Sequence, residues 1–229
     1  MNVKNSLNVN GAQDSAHDDT WRIFRIMAEF VDGFETLSKI GPCVTIFGSA
    51  RTPEESPHYD MARKVAGVAV ANGYGVITGG GRGIMEAANR GAYEANGVSV
   101  GLNIQLPFEQ VANNYIKVLL SFKHFFCRKV MFLKYTSAVI VLPGGFGTMD
   151  ELFEALTLIQ THKCSALPVV MMGRDFWNGL DEWLHKSMLA HKYISKDDFN
   201  IVKITDDPEE AIAIVNEFNK KRNTSVNFA

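Results

Sequence analysis

Apolar positions along the 229-residue chain change period repeatedly, and each change marks an element. Trp21, Phe24, Ala28, Val31 and Phe34 recur at helical spacing, and Ile23, Met27 and Phe30 widen the same face. A face this broad predicts packing on the core or on a neighbouring subunit. Asp18, Asp19 and Thr20 are candidate caps in front of it, and Gly41-Pro42 ends it. A short apolar strand over 44–47 then runs into Gly48-Ser49-Ala50-Arg51. Helical spacing returns over 59–72 and stops at Gly73, before a second strand over 75–78. A glycine loop and a third helix lead to a strand over 98–102.

After an irregular stretch with Asn113 and Asn114, residues 116–120 read as a short strand. Residues 122–135 are aromatic and basic; on a helix, His124 and Arg128 share a face. The unbroken apolar run Ala138-Val139-Ile140-Val141-Leu142 predicts a strand covered on both sides. Leu152, Leu156 and Ile159 then mark a helix face. A strand over 168–172, a helix over 177–191, a strand over 199–204 and a helix opened by Asp207-Pro208 complete the chain. This alternation predicts an α/β fold: a doubly wound, Rossmann-like parallel sheet flanked by helices, a single domain with an extra N-terminal helix. The expected divisions are a disordered tail (1–16), the N-terminal helix (17–40), the α/β domain (41–220) and a frayed tail (221–229).

Composition narrows the partners. Hydrophobic residues are 46% and charged residues 21%, within the globular range, and the net charge of −2 provides no basic field for a nucleic-acid polymer. Cys43, Cys127 and Cys164 lack CxxC spacing, which suggests reduced thiols in a cytosol. The first residues carry no apolar signal core and no run is long enough to span a bilayer, so a cytoplasmic protein without a membrane partner is expected. The six histidines show no HExxH-type spacing, so no metal is expected.

The candidate chemistry lies at two strand–glycine loop–helix junctions. Pro143-Gly144-Gly145-Phe146-Gly147-Thr148-Met149-Asp150-Glu151 follows the apolar strand and opens a helix. Its glycines let backbone N–H groups crowd an anion, and the helix N-terminus adds partial positive charge. Thr148 is placed either to cap the helix or to offer its hydroxyl to a ligand. A tight turn with an acidic first turn explains one glycine and one acid, but not three glycines with Thr148 and Glu151.

The other junction is Gly79-Gly80-Gly81-Arg82-Gly83-Ile84-Met85-Glu86. A dinucleotide fingerprint would need glycine where Ile84 stands, and no Gly-Lys-Ser/Thr makes it a Walker loop. Glu86 reads either as a crevice acid or as a solvated first-turn acid, and Arg51 either as a phosphate contact or as a solvated loop residue. Ser49 lacks the flanking glycines of a hydrolase elbow, and Cys127 lacks a paired base.

Together these two motifs resemble the LONELY GUY family, whose signature is PGGxGTxxE preceded by a GGGxxGxM-type loop; the family was long labelled "possible lysine decarboxylase". The resemblance covers about residues 43–215. It implies a phosphoribohydrolase that splits a nucleoside 5′-monophosphate, a cytokinin riboside monophosphate or AMP, into free base and ribose 5-phosphate. It makes 41–220 a nucleotide-binding domain and matches the family's catalytic pair to Arg128 and Glu151. The substrate-binding set is then Gly48, Ser49, Gly80, Gly81, Gly83, Glu86, Lys129, Gly144, Gly145, Gly147 and Thr148. No metal or organic cofactor is implied, and a homo-oligomer, dimer or larger, is expected. The family also holds inactive relatives, so a nucleotide or cofactor carrier that binds without turnover is the alternative.

Overall fold

The computed structural model describes residues 9–106, 111–221 and 227–228, with side chains from residue 21 onward. Its strands are β1 (Cys43–Phe47), β2 (Gly75–Thr78), β3 (Ser99–Ile104), β4 (Val118–Phe122), β5 (Thr136–Val141), β6 (Val169–Met172) and β7 (Val202–Thr205). All pair in parallel, in the order β4-β3-β2-β1-β5-β6-β7. The α/β, doubly wound architecture expected from the alternation is therefore the one observed. Strand order reverses between β1 and β5, so a crevice opens beyond their carboxyl ends, where such sheets bind ligands.

The apolar runs lack alternation because both sheet faces are covered. Ala138 and Ile140 of β5 join Val44, Ile46 and Val76 beneath α2 (Pro57–Ala71), α3 (Ile84–Glu94) and α7 (Pro208–Lys220). Val139 and Val141 face the other way, with Phe47, Ile77 and Val100, beneath α4 (Phe125–Lys134), α5 (Phe146–Gln160) and α6 (Arg174–Trp183). Trp177 is fully buried there and donates its indole N–H to Met172 O at 3.0 Å. Two of the helix starts follow local chemistry. Ser56 caps α2 and Asp207 caps α7, each with proline in the first turn.

Several boundaries differ from expectation. α1 spans Val9–Leu37, so residues 9–16, expected as tail, are helical; residues 1–8 lie outside the described set. The broad apolar face of α1 is divided. Ile26, Phe30 and Leu37 pack on the core, whereas Trp21, Ile23, Phe24, Met27 and Val31 are exposed.

The C-terminal end is anchored. Asn227 is buried, its amide donating to Leu133 O and Thr136 O, and Phe228 packs on the core. These bonds satisfy carbonyls near the end of α4, which polar composition alone did not reveal. The aromatic-basic segment is a helix only from Phe125, because Phe122 closes β4. The helix after Trp177 turns into a π-helical segment at Leu184–Leu189, and a 3₁₀ turn, Asp197–Ile201, precedes β7. Pro107 and Phe108 lie outside the described residues.

Candidate functional site

β1 and β5 deliver two of the predicted loops to the crevice, and β2 delivers the third. Main-chain bonds join all three at Ser49: its N–H donates to Pro143 O at 3.0 Å, and its carbonyl accepts from Ile84 N–H at 3.0 Å. Gly48 and Gly83 are glycines for packing reasons. A Cβ on Gly48 would meet Ile84 at 2.4 Å. One on Gly83, which has φ +64°, would meet Ser49 O at 2.4 Å.

The Gly79–Gly81 turn rests on a buried polar network that the sequence did not announce. Thr78 Oγ1 accepts from Gly80 N–H at 2.9 Å and donates to Asn89 Oδ1 at 2.6 Å. Asn113 donates from Nδ2 to Gly81 O at 2.9 Å and from its backbone N–H to Gly80 O at 3.0 Å. Only the apolar surroundings of Asn89 in a helical pattern hinted that it was buried. Glu86, in the first turn of α3, is partly buried and accepts from Tyr59 Oη at 3.4 Å.

The PGG loop opens α5. Gly145 is its N-cap residue and supplies no side-chain acceptor. The N–H groups of Phe146, Gly147 and Thr148 are thus the first of the helix, without an intrahelical acceptor. Thr148 is not the cap: it sits inside the first turn, buried, with its hydroxyl against Gly144, where an added Cβ would lie 2.1 Å from Oγ1. By contrast, a Cβ on Gly145 or Gly147 would meet nothing within 4 Å. Packing within the chain does not demand glycine at those two positions; they leave open space beside the helix N-terminus.

Arg128 and Glu151 meet in this crevice. Arg128 Nη2 lies 3.7 Å from Glu151 Oε1, with both side chains nearly buried. Arg128 also approaches the other loop, its Nη1 3.8 Å from where a Gly79 Cβ would stand. Its guanidinium lies between the rings of Phe125 and Phe132, at 5.2 and 5.3 Å. Arg128 Nε is buried without a hydrogen-bond partner.

Burial pushes the Glu151 carboxyl up to about 7, against the opposing charges of Lys129 and Arg128. Burial likewise lowers the Arg128 guanidinium from its ordinary value, and Glu151 and then Asp150 oppose that shift. The result is a carboxyl poised to hold or release a proton near neutrality, facing a buried cation.

Not every predicted residue converges here. Lys129 pairs with Asp150 at 2.8 Å and Glu154 at 3.0 Å, beside a shallow depression lined by Phe146, Met149 and Phe153. Arg51 is exposed. Cys127 and Cys43 are buried, and their thiols are pushed up to about 11 and about 12 respectively, the opposite of nucleophile activation.

Fold and site together define a doubly wound α/β protein with glycine loops at the switch point and a buried Arg–Glu pair between them. The model of the family described as "Possible lysine decarboxylase" matches residues 85–215, and the chain belongs to that family, the LONELY GUY family. A curated relative, the cytokinin riboside 5′-monophosphate phosphoribohydrolase of Mycobacterium tuberculosis (strain ATCC 25618 / H37Rv), is 29% identical over 71% of this chain and 88% of its own. Among solved structures, the molybdenum cofactor binding protein of Rippkaea orientalis matches with a TM-score of 0.58 at 20% identity, covering 78% of this chain and 96% of that one. A structural-genomics target matches with a TM-score of 0.58 at 26% identity, over 77% of this chain and 99% of its own. At family level the chain is thus related to phosphoribohydrolases, which are hydrolases.

Proposed function

We propose that the protein hydrolyses the N-glycosidic bond of a nucleoside 5′-monophosphate, a cytokinin riboside monophosphate or AMP, giving free base and ribose 5-phosphate. The observation that carries this reading is the buried Arg128–Glu151 pair beside the uncapped N-terminus of α5. The 5′-phosphate takes the N–H groups of the PGG loop, with Gly145 and Gly147 leaving room for it. Glu86 holds the ribose hydroxyls. As the C1′–N bond breaks, positive charge grows on the sugar, and ionised Glu151 stabilises it and accepts a proton from the attacking water. The C1′–O bond forms, and the base leaves with the bond's electron pair and gains a proton. Arg128 orients the ribose or the water and keeps Glu151 from rising further.

The enzyme acts in the cytoplasm as a homo-oligomer. Buried thiols support the first point, and the exposed apolar stripe on α1 supports the second. Among the described residues, no helix is long and apolar enough to cross a membrane.

Incubation of purified protein with AMP and with a cytokinin riboside monophosphate tests the reading. Free base and ribose 5-phosphate are expected. Recovery of intact, bound nucleotide would favour a carrier instead, a role in keeping with the molybdenum cofactor binding protein of Rippkaea orientalis.

A further inference from the structure

Helix α4 carries Arg128 yet has no cap of its own: His124, at the N-cap position, makes no side-chain capping bond. The segment that leads into α4 is held instead from α1. Glu29 Oε1 accepts from Lys123 N–H at 3.0 Å and lies 3.0 Å from His124 Nδ1, while Oε2 accepts from His124 N–H at 3.2 Å. The Cys127 thiol, one residue before Arg128, lies within 4.8 Å of the Glu29 carboxylate. A carboxylate offers about four lone-pair sites, and Lys123 and His124, the two residues that lead into α4, take up three contacts on this one. Glu29, His124 and Cys127 have the composition of a metal ligand set. Both carboxylate oxygens, however, already hold backbone donors.

One turn further along both helices the Met131 side chain packs against the bare backbone of Gly33, where an added Cβ would lie 2.6 Å from Met131 Cε. Phe34 O then accepts from Tyr135 Oη at 3.4 Å. The order of these contacts shows that α1 and α4 run side by side in the same direction. Phe125, which stacks on Arg128, directly follows His124, whose N–H donates to Glu29.

We infer that Glu29 is a positioning residue: from α1 it fixes the start of α4, and through α4 the distance between the Arg128 guanidinium and Glu151. The inference rests on reading that pair as the reacting site. It makes the additional N-terminal helix part of the machinery.

The test uses the full chain. Glu29→Gln keeps the shape but turns one acceptor into a donor facing N–H groups. Glu29→Asp keeps the charge but shortens the reach, and serves if the glutamine variant does not fold. Leu37→Ala, a core truncation on the same helix, controls for lost stability alone. The readouts are kcat and KM for AMP and the ¹³C titration of the Glu151 carboxyl, assigned with Glu151→Gln.

Glu29→Gln is expected to lower kcat at least about tenfold with KM held within about threefold, the cost of a small misplacement. The Glu151 midpoint should rise, because Arg128 draws away from it while Lys129, Asp150 and Glu154 stay. Deleting a negative charge that acts only through space would lower that midpoint, so the direction separates the two effects. Leu37→Ala should lower Tm and leave the midpoint alone. An unmoved or lowered midpoint in Glu29→Gln overturns the inference whatever the rate does, as does an equal rise in Leu37→Ala. A wild type that hydrolyses neither AMP nor a cytokinin riboside monophosphate overturns the proposed function instead, and the titration still decides the positioning.

Discussion

Replacing Glu151 by glutamine should shift relative stability toward the variant as pH rises while disabling turnover. The carboxyl titrates at about 7 in the folded chain against an ordinary 4.5, because burial outweighs the attraction of Lys129 and Arg128. Between those two values the folded state holds a proton that the unfolded state has lost. Stability from this group is therefore full below pH 4.5 and falls as pH rises through 7, by about 3 kcal/mol in all.

Glutamine removes that dependence. It also leaves Arg128 without an anionic partner, but Arg128 stays charged throughout, so that cost is a constant offset. Equilibrium urea unfolding of both proteins at pH 5, 6, 7 and 8 measures the difference. The stability of Glu151→Gln relative to wild type should improve by about 2–3 kcal/mol from pH 5 to pH 8. Turnover of AMP by the variant should fall by about 10²–10³, the scale of one lost transition-state charge contact. Parallel stability curves over that range would refute the claim that the site holds Glu151 in a desolvated environment.

Wild-type kcat/KM should climb with pH to a plateau above about 7, because the proposed mechanism works through the ionised form of Glu151. Arg128→Ala should cut turnover by about 10²–10³ and displace that rise to higher pH, read from the same pH–rate profile. Adenosine should be a far poorer substrate than AMP in kcat/KM, and Thr148→Ala should weaken AMP use while hardly touching adenosine; equal rates on both substrates would remove phosphate anchoring. Two glycine substitutions should part company. Gly83→Ala, strained at φ +64° against Ser49 O, should lose roughly 1–3 kcal/mol in urea unfolding. Gly147→Ala, facing open space in a helical turn, should gain up to about 1 kcal/mol yet raise KM for AMP.

Much of the fold was legible because buried parallel strands leave unbroken apolar runs, and β2 coincides with the strand expected over 75–78. The Arg128–Glu151 pairing was reached through motif resemblance, and its geometry, 3.7 Å in near-complete burial, is a product of tertiary folding. What escaped were long-range polar contacts. Nothing near Asn113 in sequence tells that it holds the Gly80–Gly81 turn, and Glu29, 95 residues before His124, has no local signature as a cap. Asn227 escaped for the same reason, since its acceptors, Leu133 and Thr136, are over 90 residues away. The start of α1 at Val9 escaped because polar, glycine-containing composition is a weak guide where a helix is continued from a strong one.

The seam at Ser49 bears on how such a pocket diversifies. Its two bonds, to Pro143 O and from Ile84 N–H, use only main-chain atoms. Side chains around the pocket rim can therefore be exchanged over generations without altering the spacing of the loops. The frame that sets the separation of the two glycine loops is thus carried by backbone, and the side chains on its rim are free of that task.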